Sequence, residues 1–417
     1  MTNSKYFTKI ILTTSLIIFS IFHCMNLFSQ VVTNYNGHVS LDSLKILNAT
    51  FNIDYVNNSN SDVCFYLNKD ADIKKLTYKN RVIDFEVVEI EDGLKKICIK
   101  NIFPEKFMLD ISYSYNLEEI DSHLFPYNSE WLELNLYTAW FPVNFDNYNY
   151  SFQVSFELPN TVELIGNGSV KRDKRTIILT NDDNHFDIPV VITKGFQRFN
   201  SINDEIEFYS LKLSENKISE INQISDNMYS FFQDNFGKVD SNKLRVIVNP
   251  FKRDISYARK GFISFSLLDD FGMLDKKILA HEIAHLWWLN AKAGTWEDWL
   301  NESFAEFSSL KWIEKSYSND YFQKELKKYE KAYSSPVKMS ETKTGDDNWY
   351  SIAYLKGSYI LYKLEKKIGE EKMFDFLKSV NKAKVSSTID LIEMLKNYAD
   401  DQTIKDFEND LYVLATD

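Results

Sequence analysis

Two histidines four residues apart, with a glutamate after the first, stand at His281, Glu282 and His285 in the run ILAHEIAHLWW. On a helix an i, i+4 pair leaves from one face, so both imidazoles can bind one metal ion. Zinc suits the pair, because it takes imidazole nitrogen at about 2.0–2.1 Å. Glu282 is badly placed for a third ligand, but well placed to take a proton from a water held by the ion. The third ligand has to come from another segment. Trp299-Leu300-Asn301-Glu302-Ser303-Phe304-Ala305 reads as the start of a second helix, separated from the first by the small and turn residues Ala291 to Thr295. Folded back, it brings Glu302 to the open side of the histidine pair. Two His and one Glu, with a fourth position left for water, make a catalytic zinc site rather than a structural one.

HEIAHLWW followed by WLNESFA resembles the gluzincin metallopeptidases, specifically the alanyl aminopeptidase and leukotriene hydrolase family, peptidase family M1. That family carries HExxH, then WLNEGFA, then a Tyr in a Y-x-K-G motif, and Tyr354-Leu355-Lys356-Gly357 supplies the last. The resemblance implies one zinc ion on His281, His285 and Glu302, with Glu282 and Tyr354 as catalytic groups. A phenol at Tyr354 would donate to the oxyanion formed at an attacked carbonyl. Lys356 and Gly357 read as helix packing. Glu306, four after Glu302, reads either as an acceptor that orients a ligand His or as a solvated helix residue. Glu297 and Asp298 read as exposed loop.

Three departures from the family pattern stand out. Sixteen residues, Leu286 to Asn301, separate the second His from Glu302, fewer than the family usually has. Ser303 stands where the family has Gly. Family aminopeptidases also carry G-x-M-E-N before a strand that lines the substrate cleft, and its Glu binds the substrate's free amino terminus. Aligning Gly261-Phe262-Ile263 with that strand puts Ser256-Tyr257-Ala258-Arg259 at the motif, with no Glu and with Arg259 and Lys260 adding positive charge. A cation there repels an ammonium. Arg259 reads either as a partner for a carboxylate or, with Lys260, as solvated charge at a strand start. The strand itself should offer backbone groups to an extended peptide. The resemblance thus implies an aminopeptidase-like zinc hydrolase acting on peptides or proteins. A zinc endopeptidase or other hydrolase without free-amine recognition is an alternative. A catalytically silent binding protein, with its β domain as the interaction module, is another.

The elements that must position these residues fall in two halves, an α+β multidomain pattern. Domains are expected at residues 30–202, an all-β sandwich or saddle, and 203–417, the thermolysin-like, mainly helical domain with a small sheet that the resemblance implies. Alternating runs mark strands at Val63 to Leu67, Val82 to Val88, Lys96 to Ile99, Leu109 to Tyr115, Tyr150 to Glu157 and Ile188 to Thr193. Thr138-Ala139-Trp140-Phe141-Pro142 is similar to a family signature that borders the substrate pocket, and core packing by Trp140 and Phe141 is the preferred reading. In the second half the apolar period turns helical from Ser210 to Asn235. Strands follow at Leu244 to Val248 and Gly261 to Leu267, then the active helix from Leu274 to Leu289. Further helices are expected at Asn301 to Ser316, Asp320 to Ala332, Ile352 to Ile368, Glu371 to Ser379, Thr388 to Tyr398 and Ile404 to Leu411.

The 417 residues are 44% hydrophobic, 26% charged and 15% aromatic, which describes a globular chain with a sizeable core and not a disordered one. The net charge is −12, and with no basic cluster a nucleic-acid partner is not expected. Lys5 and Lys9 precede an apolar run from Ile10 to Phe22, and residues 1–29 read as a signal peptide for export to the periplasm, cell envelope or medium. An uncleaved anchor or a lipid on Cys24 are the alternatives, and they offer the only membrane contact expected. Cys64 and Cys98 lie in strand-like runs. Buried thiols are the preferred reading, with a cross-strand disulfide as the other. Oligomeric state is left open.

Overall fold

The structure, a computed structural model, describes residues 30–412 apart from 43–44, 58–61, 91–92, 101–102, 120–129, 145–148, 240–242 and 254. The segment 1–29, with its targeting reading and Cys24, lies outside the described residues. The described chain forms two compact units that divide between Phe196 and Gln197.

Strict alternation builds the first unit. Along Ile46–Asn57, Leu47, Ala49, Phe51, Ile53 and Tyr55 are buried, and along Lys106–Asn116 so are Phe107, Leu109, Ile111, Tyr113 and Tyr115. These two strands pair antiparallel, with Phe51 opposite Ile111, so both send their apolar residues to one face. They are the middle of an eight-stranded sheet. Its order is Ser169–Asp173, Thr176–His185, Tyr150–Glu157, Gln30–Asp42, Ile46–Asn57, Lys106–Asn116, Asp72–Tyr78 and Arg81–Val82. Two three-stranded sheets complete the unit. One holds Glu163–Gly166, Val190–Thr193 and Trp131–Leu134, the other Val63–Asn68, Leu94–Ile99 and Glu86–Ile90.

Trp140 and Phe141 lie in this unit's core. The Trp140 indole donates to the Ile188 carbonyl (3.1 Å), and its own carbonyl accepts from the Tyr113 hydroxyl (2.6 Å). The packing reading of that motif therefore holds. Cys64 faces Cys98 across an antiparallel pair at a Cα–Cα distance of 4.2 Å, and the two form a disulfide rather than the preferred pair of thiols. The run Val82 to Val88 is not one strand. Arg81–Val82 joins the edge of the large sheet and Glu86–Ile90 joins a small one, with Val82, Val87 and Val88 exposed.

The second unit has a five-stranded sheet ordered Gln197–Asn200, Ile206–Ser210, Leu244–Asn249, Phe262–Ser266 and Tyr257–Arg259. The first of these, placed with the β half by sequence, pairs with Ile206–Ser210 here. Eight helices follow or interleave among the described residues: α1 Glu215–Phe236, α2 Met273–Ala284, α3 Trp299–Ser316, α4 Asn319–Tyr333, α5 Gly357–Ile368, α6 Glu370–Ala383, α7 Thr388–Leu395 and α8 Asp401–Leu411. None is long and apolar enough to cross a membrane. α1 starts on Ser214, whose hydroxyl accepts from the Lys217 amide, and buries Ile221, Met228, Phe232 and Phe236. Helix α3 is buried on nearly every side, as expected of a core helix. The turn into α2 is closed by Asp275, whose carboxylate accepts from the amides of Leu268 (2.7 Å), Asp269 (2.9 Å) and Phe271 (2.8 Å).

Candidate metal centre

Helix α2 ends earlier than its apolar pattern suggests. It stops at Ala284, with His285 as its C-cap residue still in the right-handed helical region. One turn therefore carries both histidines, and their rings meet edge to face with centroids 4.8 Å apart. The two Nε2 atoms are 3.2 Å apart. Glu302, in the first turn of α3, puts Oε2 3.3 Å from His281 Nε2 and 3.6 Å from His285 Nε2.

Asn301 closes the short connection that makes this possible. Its side chain accepts from the Ala291 amide and donates to the Ala291 carbonyl, both at 3.0 Å, and donates to Asp298 at 2.8 Å. Asp298 is not in an exposed loop. It is buried and also accepts from Thr344 Oγ1 (2.8 Å) and the Gly294 amide (3.3 Å). Glu297 accepts from the amide and hydroxyl of Thr388 at the start of α7. Each acid has one donor residue far off in sequence, Thr344 for Asp298 and Thr388 for Glu297, which a composition-based loop reading cannot see.

Each histidine is tethered through its other nitrogen. His281 Nδ1 lies 2.9 Å from Glu306 Oε2, and His285 Nδ1 lies 2.9 Å from the Trp288 carbonyl. In the neutral ring that a metal ion requires, those acceptors hold the proton on Nδ1 and leave Nε2 with a lone pair. Glu306 is buried and is not a solvated helix residue. The buried Oε2 of Glu302 has no hydrogen-bond partner among the described residues. A tetrahedral zinc with bonds of about 2.0–2.2 Å separates its ligand atoms by about 3.3–3.6 Å. The three separations here match that spacing, so the donor set fits the ion.

The electrostatics favour positive charge at the same point. Burial opposes a charged ring at His281, but Glu302 and Glu306 outweigh it and push its pKa up to about 10. Burial would raise Glu302, yet His285 and His281 hold it well below the usual carboxylate range. Glu282 is buried on α2, and burial keeps its pKa raised although both histidines pull it down.

Tyr354 stacks on His281 with ring centroids 5.4 Å apart and planes 12° apart. Burial and the Glu302 carboxylate hold its phenol well above the usual tyrosine range. The segment that carries it is not the start of a regular helix. Tyr350–Lys356 is a π-helical turn that runs into α5, a form found often at functional sites. Lys356 donates to the carbonyls of Ser335 (2.8 Å) and Val337 (2.5 Å), which makes it a packing residue. Gly357 backs onto Ser303, where a Cβ would fall 1.9 Å from the Ser303 hydroxyl. Ser303 donates to the Ala353 carbonyl, and Ser358 donates to the Ser303 carbonyl at 3.0 Å. The serine thus fills the space that Gly357 leaves.

Arg259 lies on Tyr257–Arg259, the edge strand beside Phe262–Ser266. Phe262–Ser266, the strand expected to offer backbone groups to a peptide, is paired on both sides. Arg259 is 6% exposed, so it is not the solvated charge of one sequence reading, whereas Lys260 is exposed. Its guanidinium packs 4.6 Å from the Tyr257 ring and draws the Glu282 pKa down. Sequence reasoning missed Lys277 and Tyr329, which both contact Glu306. The signal for Lys277 was its i, i+4 spacing to His281. Tyr329 offered none.

Residues 273–411 match the model of the peptidase family M1 domain. This stretch of the chain is similar to a peptidase family M1 domain. It holds every residue of the metal cluster and Tyr354. The leucyl aminopeptidase of Saccharolobus solfataricus is 27% identical over 253 residues, covering 53% of this chain and 32% of that protein. The chain thus spans about a third of that relative's length. The M1 zinc metallopeptidase of Deinococcus radiodurans has a similar fold, with TM-score 0.66 and 15% identity over 91% of this chain and 93% of that one. Yeast LTA4 hydrolase in complex with bestatin gives TM-score 0.70 and 15% identity over 93% of this chain and 68% of that one. The α+β fold is therefore similar to that of these two solved structures.

Proposed function

We propose that this chain is a zinc metallopeptidase, aminopeptidase-like, that hydrolyses peptide bonds in peptides or proteins. One observation carries the reading. Two Nε2 lone pairs and an unbonded carboxylate oxygen face one point at 3.2, 3.3 and 3.6 Å, the spacing of ligands on one zinc ion. His281, His285 and Glu302 would hold that ion. Zinc bound there supplies Lewis acidity, which polarises a carbonyl and acidifies water.

The chain's own groups do the rest. Glu282 is a buried carboxylate beside His281 with a raised pKa, a good base for the attacking water and then an acid for the leaving amine. Tyr354 stays protonated at neutral pH, so its phenol can donate to the developing oxyanion. A peptide bound beside Tyr257–Arg259 would lie next to α2. Arg259 favours a second reading of the substrate. Its buried cation beside Glu282 disfavours a free ammonium there, as an endopeptidase or an enzyme that reads a carboxylate would require. Export is part of the same proposal. The basic start and apolar run of residues 1–29 support it, as does the Cys64–Cys98 disulfide, since disulfides persist in oxidising compartments.

The test is hydrolysis of a peptide library by the zinc-replete protein, each peptide free and N-acetylated, with Glu282→Gln alongside. Glu282→Gln is expected to lower kcat by about 100-fold or more while zinc stays bound. Cleavage of free ends alone supports the aminopeptidase, and cleavage of blocked peptides supports the second reading. Equal rates for wild type and variant would refute the proposal.

A further inference from the structure

Behind His281 the interior holds a cation that the chemistry above does not use. Lys277 precedes His281 by one helical turn on α2, so the two side chains leave from the same face. It is 7% exposed. Its Nζ is 2.7 Å from Glu306 Oε1 and 3.6 Å from Glu325 Oε2. Tyr329, from α4, donates its hydroxyl to the same Oε1 of Glu306, and the Lys277 ammonium sits 5.3 Å from the Tyr329 ring centroid. The other oxygen of Glu306, Oε2, is 2.9 Å from His281 Nδ1. A carboxylate on a two-carbon stem can turn about its terminal bond. Here two donors from two different helices hold one oxygen, and the second is left for the ring.

We propose that Lys277 and Tyr329 are positioning residues for the metal centre. They pin Glu306 Oε1, so that Oε2 fixes the plane of the His281 ring and keeps its proton on Nδ1, with Nε2 aimed at the ion. The inference rests on the zinc reading above. Its physical basis is the arrangement itself. A buried position on a core-facing helix would be filled most simply by an apolar residue, and burying an ammonium is costly unless it is paired. Lys277 is paired with the carboxylate that touches a ligand, which makes the orientation of that carboxylate depend on it. Tyr329 adds a second direction of restraint at the same oxygen. Groups that orient a ligand histidine typically account for about 10–100-fold in metal affinity.

The experiment uses the full chain. Zinc affinity is measured by competition with a chromophoric chelator, and the visible spectrum is recorded after cobalt substitution. The variants are Lys277→Met and Tyr329→Phe, with Glu325→Gln as a control that removes a partner of Lys277 but none of Glu306. Lys277→Met is expected to raise the zinc Kd by about 10-fold or more and to change the cobalt spectrum. Tyr329→Phe, which nearly conserves volume, does the same to a smaller degree, and Glu325→Gln leaves both readouts near wild type. If the first two variants keep the wild-type Kd and spectrum and lose only thermal stability, Lys277 and Tyr329 are packing and the inference fails. If Lys277→Met does not fold, Tyr329→Phe decides by the same criterion. Wild-type protein that binds no zinc would instead overturn the metal-centre reading itself, and this inference with it.

Discussion

Replacing Gly357 with alanine tests the contact that carries Tyr354 to the metal centre. The added Cβ would fall 1.9 Å from the hydroxyl of Ser303 and 2.9 Å from its Cβ. Both are well inside van der Waals contact, and the Ser303 Cβ cannot move without moving α3. Overpacking of this kind costs about 1–3 kcal/mol. Ser303 must also swing away from the Ala353 carbonyl it now donates to, losing about 1 kcal/mol. Alanine recovers about 1 kcal/mol over glycine through helix propensity. The net expectation for Gly357→Ala is a loss of about 1–3 kcal/mol, read by urea unfolding. A fall in kcat should accompany it, because Ala353 adjoins Tyr354. Ser303→Gly removes the obstacle, so the double variant should recover most of the stability lost by Gly357→Ala, with a coupling of about 1–3 kcal/mol. Wild-type stability in Gly357→Ala, or a double variant no more stable than that single one, would refute the reasoning.

Three further outcomes follow from the same structure. Burial, with Glu302 nearby, pushes the Asp298 carboxyl up to about 7 from its ordinary 3.8. The folded state then binds a proton that the unfolded state has already lost. This contribution to stability is fully present below about pH 4 and is lost as pH rises to about 7. In metal-free protein, the stability difference between wild type and Asp298→Asn should therefore shift against wild type across that window, and a flat difference would contradict it. Arg259→Gln removes a cation that draws the Glu282 pKa down, so the acidic limb of the kcat/KM profile should move to higher pH; an unmoved limb would show that Glu282 does not sense Arg259. Replacing Cys64 and Cys98 together by serine opens a link across 34 positions and should cost about 3–4 kcal/mol by the chain-entropy estimate, measured against oxidised wild type in urea. A stability equal to wild type would argue that the bridge does not form.

The parts of the site that were legible in the sequence are those set by short-range geometry. His281 and His285 share a face because of their spacing alone, and Glu302 and Glu306 share one for the same reason. The partner helix could be inferred from the turn residues before it. What stayed hidden depends on distant segments. Lys277 looks like a surface lysine until Glu306, Glu325 and Tyr329 are folded around it. Asp298 looks like loop until Thr344 reaches it. Cys64 and Cys98 could be placed in strands, but their mutual register comes from a sheet pairing that no local pattern states. In the β unit, alternation found Tyr150–Glu157 to the residue, and failed at Val82 to Val88, where the three valines face solvent while Ile83 and Phe85 pack against the core. Periodicity placed α3 and α4 within about two residues, the usual margin for helix ends. It could not distinguish a π turn from an α turn over the few residues of Tyr350–Lys356.

That wide turn makes the position of the Tyr354 phenol a matter of residue count. An α-helix advances about 100° per residue around its axis, so everything on one side of an inserted or deleted residue is rotated by roughly that angle relative to everything on the other. Gly357 fixes the phase of α5 by its fit to Ser303, and the π turn lets Tyr354 keep a different phase, stacked on His281. Loss of one residue between Tyr350 and Tyr354 would let the turn relax to α geometry without disturbing the fold on either side. It would also swing the tyrosine off the histidine ring. In this segment the number of residues itself sets where the phenol points.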